Sequence, residues 1–154
     1  MTAIAFDRTD SRRRASQGPG AEWNRVTPRS AALSWLVTTL QALARLARLP
    51  NNWDGYGSPP IQPAALASAH RFIAAVEALP LPLPSVAPVT GGGIGFTWQL
   101  ENRELEIEVL PDGTTQYLMA VKDPQTGEEA THTDSLPLDR SEYVQHLAEW
   151  LMAG

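Results

Sequence analysis

The residues best suited to chemistry are three histidines, a row of glutamates and a run of glycines. His70, His132 and His146 are scattered, and only His132-Thr133-Asp134 sets a histidine and a carboxylate on one strand face. Zinc takes three or four ligands, so two candidates read as surface or half-buried groups, and no metal site is expected. Glu104, Glu106 and Glu108 alternate with Leu105, Ile107 and Val109. Carboxylates two residues apart on a strand lie about 7 Å from one another, which is too far to share a proton. Calcium would need more oxygen ligands, gathered by a loop. The row therefore reads as the solvated outer face of a sheet, or as a docking surface for a basic partner. Gly91-Gly92-Gly93-Ile94-Gly95 would cradle a phosphate only if it left a strand and entered a helix. Here it leads into a strand, and no Gly-Lys-Ser/Thr follows. No Gly-x-Ser-x-Gly elbow is present either. No catalytic residue and no cofactor is expected.

Trp53-Asp54-Gly55-Tyr56-Gly57 is the most specific string in the chain. Two large aromatics bracket an Asp-Gly turn, and Pro59-Pro60 fixes the exit. Asp54 can accept backbone N–H groups while Trp53 and Tyr56 plug the junction of two helices and a sheet. The same residues would also make a binding hot spot, because Trp and Tyr dominate such sites. Trp53, Asp54 and Tyr56 join Glu104, Glu106 and Glu108 as the candidate interaction residues.

What must position these groups is set by a chain of 154 residues, 43% of them hydrophobic. That length suits one domain burying roughly 70% of its unfolded surface. The absence of cysteine excludes disulfides, thiolate zinc sites and cysteine nucleophiles. No apolar run approaches the ~18 residues that cross a bilayer. The net charge of −5 is uneven. Residues 1–49 carry eight arginines against Asp7, Asp10 and Glu22, leaving +5, whereas residues 50–154 carry four basic groups against fourteen acids, leaving −10. Residues 1–28 read as a disordered basic tail, too poor in apolar groups to offset the entropy of ordering. Arg12, Arg13 and Arg14 could touch phosphate or an acidic protein, but three charges make nucleic-acid binding the weaker alternative. No apolar stretch follows the charges as in a secretory signal, and the acids argue against a transit peptide, so a cytoplasmic protein is expected.

Residues 29–154 read as one α+β domain. Ser30 to Leu49 predicts a helix with Leu33, Leu36, Val37, Leu40, Leu43, Ala44 and Ala47 on one face, a stripe widened by Trp35, Leu46 and Leu49. So wide an apolar arc suggests packing on the domain's own sheet and second helix, or a partner covering the second side. A second helix begins near Pro63, with Leu66, Ala69, Ile73 and Val76 inward. Leu79-Pro80-Leu81-Pro82-Leu83-Pro84 is an extended connector. Strands follow over Phe96–Leu100, Leu105–Val109 and Thr115–Val121, with an edge strand around Glu129–Thr133. Thr115–Val121, apolar on both faces, suggests a central or helix-covered position. Asp139 and Glu142 have capping-box spacing for a last helix whose inner stripe is Tyr143, Leu147, Trp150 and Leu151. The expected fold is two N-terminal helices, a three- to four-stranded antiparallel meander, and a C-terminal helix packed on one sheet face.

Asn52-Trp53-Asp54-Gly55-Tyr56-Gly57, Pro59-Pro60, the following helix, Leu105-Glu106-Ile107-Glu108 and Pro111-Asp112-Gly113 together resemble an uncharacterised family of small bacterial proteins. The resemblance spans residues 50–122 and carries no catalytic residue with it. It implies a setting in mobile elements or defence systems, an association rather than a mechanism. The expectation is a non-catalytic protein-interaction module, as inhibitor, antitoxin or accessory subunit, with a protein partner or further copies of itself. The alternative is a small-ligand binder or unusual enzyme with a pocket between the Trp53–Tyr56 loop, the glycine segment and the sheet.

Overall fold

The chain forms an antiparallel sheet of five strands in sequence order: β1 (Ser85–Val89), β2 (Gly93–Leu100), β3 (Arg103–Val109), β4 (Thr115–Lys122) and β5 (Glu129–Ser135), with apolar and polar residues alternating most regularly in β3. A computed structural model describes residues 28–153. Helix α1 (Pro28–Leu46) and helix α2 (Pro63–Val76) precede the sheet, and helix α3 (Ser141–Met152) follows it. The α+β class and the meander are as expected. Strand β1 is an addition, because Ala87-Pro88-Val89 carries no alternation and a proline. It is an edge strand, where the missing N–H of Pro88 is tolerated. The arginine tail, including Arg12, Arg13 and Arg14, lies outside the described residues.

Pairing of Phe96 with Ile107 and of Trp98 with Leu105 puts the apolar residues of β2 and β3 on one face. Phe72 of α2 wedges onto them, its ring 5.2 Å from Phe96 and 6.0 Å from Trp98. Val144, Leu147 and Leu151 of α3 join the same core, as do Trp35, Leu43 and Leu46 of α1. Two indoles pin the proline-rich connector: Trp35 Nε1 donates to the Leu79 carbonyl at 3.1 Å and Trp98 Nε1 to the Pro82 carbonyl at 2.7 Å. Helix α1 packs beside β1, α2 over β2 and β3, and α3 over β3. Among the described residues no helix is long and apolar enough to cross a membrane.

Three readings of the sequence need correction. Helix α1 is rotated toward the Trp35 and Leu46 edge of its predicted stripe, because the Trp35 bond sets Trp35, Thr39, Leu43 and Leu46 inward. Val37 and Leu40 are exposed instead. Helix α3 starts without a side-chain cap, its N-cap being Arg140 rather than Asp139. Val144, Leu147, Ala148 and Leu151 form its buried face, so Tyr143 is exposed and Trp150 is half-buried. Trp150 has another task, since the Arg103 guanidinium lies 5.1 Å from its ring and donates to its carbonyl near the end of α3. A cation there meets the negative end of the helix dipole. Strand β4 is an interior strand, paired with β3 and β5, but its Tyr117, Leu118 and Met119 are only half-buried.

The buried Thr39 hydroxyl has no hydrogen-bond partner among the described residues. A buried unpaired hydroxyl costs about 1–3 kcal/mol. Thr39→Val keeps the shape and removes that cost, so it is expected to raise the urea midpoint by an amount corresponding to about 1 kcal/mol, with an unchanged slope. A lowered midpoint would mean that the hydroxyl is satisfied.

Candidate functional site

Pro50 stops the chain after α1, and the seven residues Asn52–Ser58 close on themselves. Asn52 adopts a left-handed backbone (φ 61°), and its N–H donates to the Ser58 carbonyl at 2.7 Å. Its own carbonyl accepts from Gly55 N–H, and its side-chain Oδ1 accepts from Gly57 N–H at 2.6 Å. Gly55 (φ 77°) and Gly57 (φ 89°) take the positive angles that other residues avoid. Asp54 sits at the centre. Its Oδ1 accepts from the Tyr56 and Ser58 amides at 2.9 and 3.1 Å, and its Oδ2 accepts from the Ser58 hydroxyl. Trp53 is half-buried, and its indole donates to the Pro59 carbonyl at 3.0 Å.

The loop is docked on the sheet at one point, the glycine turn before β2. Ser58 is 4% exposed, and its Oγ also accepts from the Gly91 amide at 3.4 Å. Gln62 N–H donates to the Gly92 carbonyl at 3.0 Å. A Cβ on Gly92 would come within 2.8 Å of the Pro60 carbonyl oxygen, so the glycine admits a backbone contact that any side chain would block. The glycine segment is therefore a packing surface for the loop. Sequence reasoning assigned no role to Asn52 or Ser58, although Asp-x-x-x-Ser around two glycines was the available signal.

Tyr56 does not plug the helix–sheet junction. It is 93% exposed at the tip, with its backbone N–H held by Asp54. The Asn52, Trp53, Asp54 and Ser58 side chains are each engaged with the loop or its exit, and among the described residues no hydrogen bond is made by the Tyr56 phenol. The structure thus separates the two aromatics, Trp53 inward as a strut and Tyr56 outward on a fixed backbone.

The glutamate row lies on the other face of the sheet from the core. Glu104 stands between Gln99 and Ala120, Glu106 between Thr97 and Leu118, and Glu108 between Gly95 and Gln116. All three are half-buried by these neighbours, and Glu108 accepts from the Gln116 amide at 3.2 Å. The row is not part of the Trp53–Tyr56 loop, which docks on the turn that opens β2. His132 lies over the Tyr117 ring (5.8 Å between centroids), and Asp134 is register partner to Tyr117. Burial first, then the neighbouring Asp134 and Tyr143, pushes the Tyr117 phenol above its ordinary range. Nearby, an open depression of about 550 Å³ is bordered by Arg71, Asp134, Asp139 and Tyr143. Among the described residues no three His, Asp or Glu side chains are grouped to hold a metal ion. No family model, curated protein or solved structure matches the chain.

The Ser58 hydroxyl, followed by the Tyr56 and Ser58 amides, holds the Asp54 carboxyl below its ordinary value of 3.8. A carboxylate with a lowered folded-state pKa stabilises fully above that ordinary value and loses its contribution as pH falls through the folded-state value. The loop is thus expected to be at full strength at neutral pH and to loosen only in acid. Ser58→Ala should move the Asp54 titration upward toward 3.8, read from the carboxyl carbon shift by NMR. A titration that stays in place would show that the hydroxyl does not hold the carboxylate.

Proposed function

We propose that the chain is a non-catalytic protein-interaction module whose recognition element is the Asn52–Ser58 loop, with Tyr56 as its anchor. The observation that carries this reading is the division of labour in the loop. A phenol exposed to 93% stands on a loop whose Tyr56, Gly57 and Ser58 amides are held by the Asp54 and Asn52 side chains. Tyrosine contributes large amphipathic contact area at low entropic cost, and a preorganised loop has less to lose on binding. Among the described residues nothing requires an aromatic ring at this tip.

The half-buried row Glu104, Glu106 and Glu108 is a second surface suited to a basic partner, and it is held in register by its cross-strand neighbours. An inhibitor, antitoxin or accessory subunit of a larger bacterial complex fits a module of this kind, in line with the resemblance carried by the Asn52–Pro60 string. The mobile-element or defence setting enters only through that resemblance.

Tyr56→Ala removes a side chain without internal bonds and is expected to leave the melting temperature unchanged. As a hot-spot truncation it should weaken partner binding by roughly thirtyfold or more, corresponding to ≥ 2 kcal/mol. Affinity capture from the native host with both baits, quantified by mass spectrometry, reads this directly. Equal recovery by the two baits, or no protein specifically retained by the natural chain, would overturn the proposal.

A further inference from the structure

The two edges of the sheet are treated differently. Strand β1 carries Pro88 and lies beside α1, both devices that blunt an edge. Among the described residues strand β5 has neither. Its seven residues, Glu129-Ala130-Thr131-His132-Thr133-Asp134-Ser135, are all exposed, contain no proline or lysine, and pair with β4 without a bulge. From this edge we infer that the chain self-associates, two copies joining antiparallel through β5 about a two-fold axis at His132 to give one continuous sheet.

The hydrogen-bond parity fixes that register. Leu136 N–H donates to the Thr115 carbonyl, and Asp123 N–H to the Glu128 carbonyl, so the even-numbered residues of the strand bond inward to β4. In an antiparallel ladder the alternate residues point the other way. Glu129, Thr131, Thr133 and Ser135 therefore direct both backbone groups at the free edge. With the axis at His132, Glu129 meets the partner's Ser135 and Thr131 meets the partner's Thr133. Every residue of this set then exchanges both of its bonds. Moving the axis to Thr131 or Thr133 leaves one end of the set unmatched.

Side chains agree with the same register. Asp134 falls opposite the partner's Ala130 and Glu129 opposite the partner's Ser135, so no carboxylate faces another. Shifting the axis to Thr131 would set Asp134 against the partner's Glu128, a like-charge pair. The Thr131–Thr133 pairs lie on the outer face, where facing threonines are favourable. Asp134 also comes diagonally beside the partner's His132, whose ring N–H can reach a carboxylate. The contact is separate from the Tyr56 loop, and its test does not depend on that loop's partner.

Sedimentation velocity of the full chain between about 1 µM and 1 mM is expected to show a concentration-dependent dimer. Thr133→Pro deletes an N–H aimed at the partner and none used by β4, so it should weaken the dimer at least about tenfold. If that variant misfolds, the double substitution Thr131→Lys with Thr133→Lys keeps the backbone and puts like charges across the seam. The chain has no cysteine, so single introduced thiols report cleanly. Under mild oxidation His132→Cys should form a disulfide dimer, since facing residues there lie about 4.5 Å apart between Cα atoms. Ala130→Cys, set four residues off from its own copy, should not. A monomer across the whole range, a dimer indifferent to both edge variants, or equal cross-linking by the two cysteine variants would each overturn the inference.

Discussion

The Ser58 hydroxyl is closed off from water and must be satisfied inside the protein, and the way it is satisfied ties together three separate parts of the chain. It donates to Asp54, which gathers the loop after α1, and it accepts from Gly91, which belongs to the turn opening β2. Two residues later the chain enters the stretch that leads into α2, where the Gln62 amide takes the next carbonyl of the same turn. The helix layer and the sheet are thus registered at their junction by polar bonds, while Phe72, Phe96 and Trp98 hold them together by burial. A buried polar group left unpaired is costly, so this arrangement tolerates few alternatives.

From that constraint follows the exposure of Tyr56. A loop that spends Asn52, Asp54, Gly55, Gly57 and Ser58 on its own closure has a single residue whose side chain is left outside. The fold supplies a rigid base and a free aromatic tip, which is the division found where binding energy is concentrated in a few anchors. The glutamate row uses the opposite device. There regular alternation along β3 fixes three carboxylates at even spacing on the uncored face of the sheet.

Much of the fold was legible because β2, β3 and α2 obey simple periods. Phe96, Trp98, Leu105, Ile107 and Val109 alternate, and Ala69, Phe72, Ile73 and Val76 recur at helical spacing, and all of them are buried. Periodicity failed where a single directional bond outranked it. The Trp35 indole reaching Leu79 rotated α1, and Arg103 capturing the Trp150 carbonyl took Trp150 away from the buried stripe of α3. Strand β1 escaped notice because a proline-containing edge strand needs no alternation. The Asn52–Ser58 loop was recognisable as a site, but sequence alone gives no direction for a side chain. It could not show that Trp53 turns inward and Tyr56 outward, nor that Ser58 is the bridge.

The central claim is that the Asn52–Ser58 loop is a preorganised platform rather than a mobile connection. Backbone ¹⁵N relaxation of the full chain tests it most directly. Amides of Tyr56, Gly57 and Ser58 with order parameters near the rigid-backbone value of about 0.85, equal to those of β2 and β3, are the predicted result. Values below about 0.6 at these positions, with the sheet still rigid, would contradict it.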